Sequence, residues 1–184
     1  VYNDITERVA AENALRSIVE GTAAVVGADF FPVLARQLAE SLGVDHILIN
    51  QLEEDTLSTL VHWSPQGRQP DLSYPMLQTP CELTLSEQFF CCPVNVQAQF
   101  PNDPDLIQLN AESYLGVALI GENGHILGEI CAIHSQPIHN LDNAMALLRI
   151  FAARASAELE RQRSNQALQE NEANFRLILK NMPL

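Results

Sequence analysis

The chain has 184 residues, of which 47% are hydrophobic, so it can bury the core of one ordinary domain. Ten lysines and arginines against 23 aspartates and glutamates give a net charge of −13, with no basic patch to offset it. Such a chain repels phosphate backbones and anionic lipid surfaces, and no apolar run approaches the roughly 20 residues of a membrane span. We therefore expect neither a nucleic-acid partner nor membrane contact from this segment.

Processing signals and cysteines bear on where the protein works. The sequence starts without Met and shows no charged segment leading into an apolar one, which favours a fragment of a longer protein over a secreted chain. Its four cysteines lack disulfide-like spacing. We expect reduced thiols and a cytoplasmic location.

The first third of the chain predicts two helices and then two strands. Residues 6–26 are mostly helix formers, and a second helix is predicted over Asp29–Leu42, with Gly43 where a C-terminal cap belongs. The pattern then changes to a period of two. Residues Val44–Leu52 and Thr56–Ser64 are predicted strands.

About fifty irregular, proline-rich residues follow, a length typical of a functional or lid segment. We predict two short helices within it, near Leu83–Gln88 and Asp103–Leu109. Strands are predicted over Ser113–Ile120 and His125–His134, joined by a turn with an Asn-Gly pair. A long helix begins near Asn140, and the element order predicts an α+β fold whose mainly antiparallel sheet lies between terminal helices and a crossing segment.

Particular strings resemble the GAF domain of bacterial sensor proteins. They are TPCE from Thr79, VQAQFPNDPDLIQLNAESYLGVAL from Val96, GHILGEICAIHSQPI from Gly124 and IFAARASAELERQR from Ile150. The resemblance covers residues 17–163 and implies a sheet with the N- and C-terminal helices on one face and an irregular, partly helical lid on the other. Residues 1–16 resemble the end of a preceding PAS domain with a linker helix, and residues 164–184 a linker helix leading into another PAS domain.

The cysteine-rich lid suggests three kinds of site, of which a metal centre and a nucleophile are the weaker. Cys91 and Cys92 are adjacent, so on a strand their side chains point to opposite faces of the sheet. Cys131 and His134 are three residues apart, which also places them on opposite faces. No histidine lies in a recognisable catalytic string near a cysteine. We expect no metal site, no catalytic residue and no enzymatic activity in this fragment.

The third kind of site is a pocket between the sheet and the lid, as the GAF resemblance implies. Its predicted lining is Trp63, Tyr74, Cys81, Phe89, Phe90, Cys92, Phe100, Tyr114 and Cys131. Whether these side chains surround a ligand or fill the space is left open. The sequence lacks the Cys-His pair of bilin-binding relatives and the Asn-Lys and Asp-Glu pairs of cyclic-nucleotide-binding ones. Haem would need His62 or His134, and the cofactor, if any, stays unknown.

The last part of the long helix carries apolar residues at heptad spacing. Leu168, Phe175 and Met182 lie seven apart, with Leu179 between the last two. This spacing favours a coiled-coil linker and a parallel homodimer, and a solvated connector helix is the alternative.

Together these features predict a sensory or regulatory GAF module. By resemblance it belongs to a two-component sensor histidine kinase whose kinase and PAS domains lie outside this chain. It would bind a small molecule or relay conformational signals through its terminal helices. The alternatives are a ligand-free dimerisation spacer between PAS domains, the regulatory domain of a diguanylate cyclase, and a thiol redox sensor centred on Cys81, Cys91 and Cys92.

Overall fold

The computed structural model describes residues 27–70 and 73–181. A 3₁₀ turn, Gly27–Asp29, leads directly into helix α1, Phe30–Leu42. Gly43 ends this helix in the left-handed conformation, with φ of 65° and its N–H donating to the carbonyl of Ala39 at 2.8 Å. The predicted second helix and its glycine cap are thus confirmed. The helix predicted over residues 6–26 lies outside the described residues.

One antiparallel sheet forms the centre of the domain. Its strands are β1 His46–Glu53, β2 Thr56–Ser64, β3 Gly67–Arg68, β4 Ser73–Pro75, β5 Phe89–Cys92, β6 Ser113–Ile120 and β7 Ile126–His134. Their order is β3-β2-β1-β7-β6-β5, and β4 pairs with the other end of β2. The four long strands predicted from the sequence are confirmed to within two residues at each end.

The irregular segment forms a lid with more structure than the sequence indicated. It contains helices α2 Pro80–Glu87, α3 Val96–Gln99 and α4 Pro104–Gln108, and between α2 and α3 it adds the edge strand β5 to the sheet. The sequence predicted α2 and α4 but not β5 or α3. Strand β5 is only FFCC, too short to show an alternating pattern.

The side of the sheet away from the lid is covered by α1 and by the first half of helix α5, Leu141–Asn181. Leu34 and Leu38 of α1 and Leu148, Phe151 and Ala155 of α5 are fully buried there. We call this cluster the helix-side core. In the described part of the chain, neither α5 nor any other helix combines the length and apolar character needed to cross a membrane.

The opposite side of the sheet packs against the lid. Leu48, Tyr114, Cys131 and Ile133 of the sheet meet Cys81 and other residues of the lid helices, and we call this the lid-side cluster. Neighbouring residues of β7 alternate between the two clusters, since Ile130 lies in the helix-side core and Cys131 in the lid-side cluster. This arrangement confirms the predicted α+β fold, with helices on one face of the sheet and the lid on the other.

Candidate functional site

A cavity of about 220 Å³ lies between the sheet and the lid, beside the ends of β1 and β2. Its walls combine a mainly apolar floor with polar side chains on strands β1 and β2, the loop after β3 and helix α4. The lining residues are His46, Leu48, His62, Ser64, Gln66, Gln69, Pro70, Pro80, Cys81, Asp103, Asp105, Leu106, Gln108, Leu109, Tyr114, Cys131 and Ile133. A concave apolar space with a few converging polar groups is typical of small-molecule sites.

Tyr114 joins the floor of the cavity to the lid. Its hydroxyl lies 3.0 Å from Oγ1 of Thr84 and 3.8 Å from Sγ of Cys81, both on helix α2. Gly116 lies two residues after Tyr114 on β6, and a Cβ placed on it would overlap Oγ1 of Thr84. Helix α2 therefore packs directly on the sheet, and only a glycine at position 116 allows this approach.

The hydroxyl of Tyr114 also donates to Oε2 of Glu129 at 3.4 Å, beneath the floor of the cavity. Glu129 is fully buried in β7, and its other oxygen accepts from Nδ2 of Asn50 at 3.0 Å. Oδ1 of Asn50 in turn accepts from Oγ1 of Thr59 at 3.0 Å. Burial raises the pKa of the Glu129 carboxyl, although hydrogen bonds from Cys81, Asn50 and Tyr114 oppose that rise.

Two histidines form a hydrogen-bonded pair in the cavity wall. Nδ1 of His46 lies 3.1 Å from Nε2 of His62, and the ring centroids are 5.2 Å apart. Burial lowers the pKa of both imidazoles, that of His62 to about 4, and the neighbouring Asp45 partly offsets this for His46. At neutral pH the pair is therefore uncharged, with one N–H donating between the rings.

Asp103 brings a carboxylate to the cavity from the lid. It is the N-cap of α4, where its Oδ1 accepts from the backbone N–H groups of Asp105 at 3.0 Å and Leu106 at 3.3 Å. The residue as a whole is only 5% exposed. Burial raises the pKa of this carboxyl, and the two cap hydrogen bonds oppose the rise.

A small polar network closes the outer wall of the cavity. Nε2 of Gln69 donates to Oγ of Ser64 at 2.9 Å, and the same hydroxyl lies 3.0 Å from Oε1 of Gln66. These three polar side chains are hydrogen-bonded to one another, which holds Gln69, directly after β3, at the cavity wall.

The structure brings only some of the predicted pocket residues to the cavity. Cys81, Tyr114 and Cys131 line it. Phe90, Cys92 and Phe100 belong to the lid-side cluster but fill the space under the lid beside the cavity, with the rings of Phe90 and Phe100 in edge contact at 5.8 Å. The side chain of Tyr74 lies outside the described residues.

Trp63 and Phe89 were wrongly assigned to the pocket. Trp63 packs against the helix-side core, and Phe89 is 46% exposed with the guanidinium of Arg149 in α5 5.0 Å from its ring centre. Their strand partners, Ile47 and Val117, also belong to the helix-side core. Residues paired across a sheet share a face, so the register places both aromatic rings away from the lid.

The histidines and the distal helix residues lie as follows. Nδ1 of His134 donates to Oδ2 of Asp45 at 2.9 Å, and His134 does not line the cavity, whereas His62 does. Leu168 and Phe175 are 59% and 62% exposed on α5. The side chain of Leu179 and all of Met182 lie outside the described residues.

Within residues 27–70 and 73–181, no three His, Cys, Asp or Glu side chains are grouped closely enough to hold a metal ion.

Sequence reasoning missed His46, Asp103 and Glu129 as parts of this site. A period-two count along β1 places His46 on the same face as Leu48, and Asp103 stands directly before the Pro of a predicted short helix. Those two signals were present. Glu129 lies two residues before Cys131 on β7, so the same count places it on the lid face, whereas its contact with Asn50 depends on the pairing register.

Residues 13–159 match the family model of the GAF domain. The chain belongs to the GAF domain family. The match spans most of the part of the chain that carries the sheet, the lid and the cavity. No curated protein matches the sequence at significant similarity.

Solved GAF domains share the fold. The chain resembles the GAF domain of a phosphoenolpyruvate-protein phosphotransferase from Coxiella burnetii, with a TM-score of 0.73 and 16% identity over 86% of this chain and 98% of that one. The GAF domain of the Acinetobacter phosphoenolpyruvate-protein phosphotransferase gives a TM-score of 0.69 and 17% identity over 85% and 97%. The R. palustris bacteriophytochrome RpBphP3 gives 0.58 and 13%, over 94% of this chain and 41% of that one.

The histidine pair predicts a loss of stability in mild acid. His62 has a pKa near 4 in the folded protein against an ordinary 6.5, so above pH 6.5 both folded and unfolded chains hold it neutral. Between pH 6.5 and 4 the unfolded chain binds a proton that the folded chain does not, and stability falls by about 3 kcal/mol as pH falls.

The measurement is urea unfolding across this pH range for the wild type and for His62→Gln, because the difference cancels other titrating groups such as Glu129. We expect the wild type to lose more stability than the variant as pH falls from 6.5 to 4. His125→Gln, at an exposed histidine, serves as the control. Parallel curves for the wild type and His62→Gln would contradict the prediction.

The cysteines are predicted to be slow nucleophiles. Burial raises the pKa of Cys81 and Cys131 well above the ordinary thiol value, and it also raises that of Cys91 and Cys92. Each such rise lowers the thiolate fraction, so iodoacetamide at pH 7.4 should alkylate Cys81 and Cys131 at least about tenfold more slowly than a free cysteine. Peptide mapping by mass spectrometry measures this, with the urea-unfolded chain as the control. Rapid native labelling of Cys81 would instead favour the thiol redox sensor.

Proposed function

We propose that this GAF domain is a sensory module that binds a small molecule in the cavity under its lid and relays that event through its terminal helices. The observation that carries the proposal is the cavity itself, enclosed by the lid and the sheet and lined by both apolar and polar side chains. The module is proposed to have no catalytic activity of its own. Its thiols have raised pKa values, which argues against a cysteine nucleophile.

The size of the cavity supports a ligand of about one ring. A cavity of about 150 Å³ in a protein interior accommodates benzene. At about 220 Å³, the space under this lid suits a molecule somewhat larger than benzene and is too small for a tetrapyrrole or a nucleotide. This agrees with the missing bilin and cyclic-nucleotide sequence pairs and argues against haem at His62.

Strand β7 provides a direct connection from the cavity to the helices. Cys131 lines the cavity, while its neighbours Ile130 and Ala132 pack in the helix-side core against α1 and α5. A ligand that displaces β7 therefore also shifts residues beneath α5. Glu158 of α5 further accepts from the backbone N–H of Gly27 at 3.4 Å, which links α5 to the segment entering the domain. Small shifts of packed helices are a common form of signal relay.

Helix α5 is proposed to carry the signal out of the domain as part of a parallel homodimer. Beyond residue 163 its described side chains are exposed, and among them Leu168, Phe175 and Ile178 are large and apolar. Exposed apolar residues at heptad-like spacing favour pairing with a second copy of the same helix. A ligand-free dimerisation spacer is the second proposal that this surface supports.

The output domain is proposed by resemblance alone. The sequence resembles GAF domains of bacterial sensor proteins, and its two ends resemble PAS domains. Both resemblances support a bacterial two-component histidine kinase that works in the cytoplasm, with its kinase outside this chain. A diguanylate cyclase is the alternative for the same position.

A cavity-filling substitution tests the sensory proposal. Cys131→Leu adds bulk at the cavity wall, whereas Cys91→Leu changes the same residue type where it packs against the helix-side core. We expect native mass spectrometry of protein from its own host to find a retained small molecule on the wild type and on Cys91→Leu but not on Cys131→Leu. A wild type of bare polypeptide mass would favour the spacer.

The dimer proposal predicts that Phe175→Glu converts a dimer to a monomer, because the charge would be buried in the helix seam. Asn174→Glu adds the same charge about 100° around the helix and should leave the dimer intact. Sedimentation velocity measures both variants. A monomeric wild type, or equal behaviour of the two variants, would contradict the proposed seam.

A further inference from the structure

We propose that the ligand of this cavity is a small organic cation, a protonated amine or amidine on an apolar body of about one ring, whose charge pairs with Asp103. This inference rests on the small-molecule site proposed above and names the chemistry of its ligand.

The geometry of Asp103 leaves one carboxylate oxygen for a ligand. Both cap hydrogen bonds, from Asp105 and Leu106, go to Oδ1. Among the residues that the structure describes, none hydrogen-bonds to Oδ2, although the residue as a whole is 95% shielded from solvent and lines the cavity. Oδ2 stays accessible at the cavity wall, so a cationic donor in the cavity can reach it and form a charge-assisted hydrogen bond.

The charges around the cavity exclude an anion and favour a cation. Asp103 and Asp105 are its acidic lining residues, and its described lining contains no Lys or Arg. His46 and His62 are neutral at pH 7 because burial lowers their pKa values. An anion would lose its hydration here without gaining a positive partner. The overall charge of −13 also attracts cations to the protein and repels anions.

The rest of the cavity requires an apolar body of limited size. The apolar walls include Leu48, Leu106, Leu109 and Ile133. A hydrated metal ion or an ammonium ion has no apolar surface to place against these walls. A ring or a short branched chain would cover them. The neutral histidine pair adds one free N–H and one free ring nitrogen, whichever tautomer is present, and so accommodates a second polar group.

Three molecules of equal size and different charge test this inference: benzamidine, benzamide and benzoate. Each is titrated into the purified 184-residue chain, and binding is followed by backbone amide NMR shifts at the cavity residues. We expect benzamidine to bind about 10- to 100-fold more tightly than benzamide, the range expected for a hydrogen bond to a charged group, and benzoate not to saturate.

Asp103→Asn identifies the residue responsible. Asparagine is as good an N-cap as aspartate, so α4 should stay folded, and the preference for benzamidine over benzamide should be lost. Asp55→Asn, in the exposed β1–β2 turn, makes the same change in net charge and should keep the preference.

Each other result overturns the inference. Equal or tighter binding of benzamide or benzoate would overturn the cationic ligand while leaving a small-molecule module. A preference unchanged in Asp103→Asn would overturn the role of Asp103. No binding of any of the three at about millimolar concentration would show that the cavity does not admit a one-ring cation; the retained-ligand measurement on Cys131→Leu would then still decide the sensory proposal separately.

Discussion

The lid of this domain depends on one buried carboxyl group. Glu129 lies at the centre of the sheet, fully buried, and has hydrogen bonds from Asn50 and Tyr114. Tyr114 extends this network to Thr84 of the lid. Removing any one member would leave a buried polar group unpaired, so the network fixes α2 on the sheet at one position. The cavity exists beside this fixed point because the lid cannot slide to close it.

Side chains alternate between the two faces of the strands, so the sheet separates the helix-side core from the lid-side cluster. From Ile130 to Ile133 the residues of β7 alternate, with Ile130 and Ala132 in the helix-side core and Cys131 and Ile133 in the lid-side cluster. A rigid strand with both faces packed cannot move one face without the other, because interiors are close-packed. The cavity and the helices are thus parts of one mechanical unit, although no side chain of α5 lines the cavity.

The long elements were predictable because their patterns are local. The leucine spacing of α1, its glycine cap and the turn between β6 and β7 are all visible in the sequence. The site was only partly predictable. Aromatic composition suggested Trp63 and Phe89, but which face they occupy depends on registers with Ile47 and Val117, which no local pattern encodes. For the same reason the contact between His46 and His62, sixteen residues apart, could not be foreseen.

The contrast between the two ends of the lid explains why one of them is hollow. Near β5, the ring of Phe90 packs against those of Phe100 and Tyr114, and the Tyr114 hydroxyl is already bonded within the Glu129 network. Near β1 and β2, the facing side chains are His46, His62, Ser64 and Asp103, which cannot be pressed against apolar surface without losing hydrogen bonds. Collapse there would bury a carboxylate oxygen with no donor. A molecule that covers the apolar walls and donates to the accessible carboxylate oxygen gains binding free energy from both contacts and stabilises the folded protein.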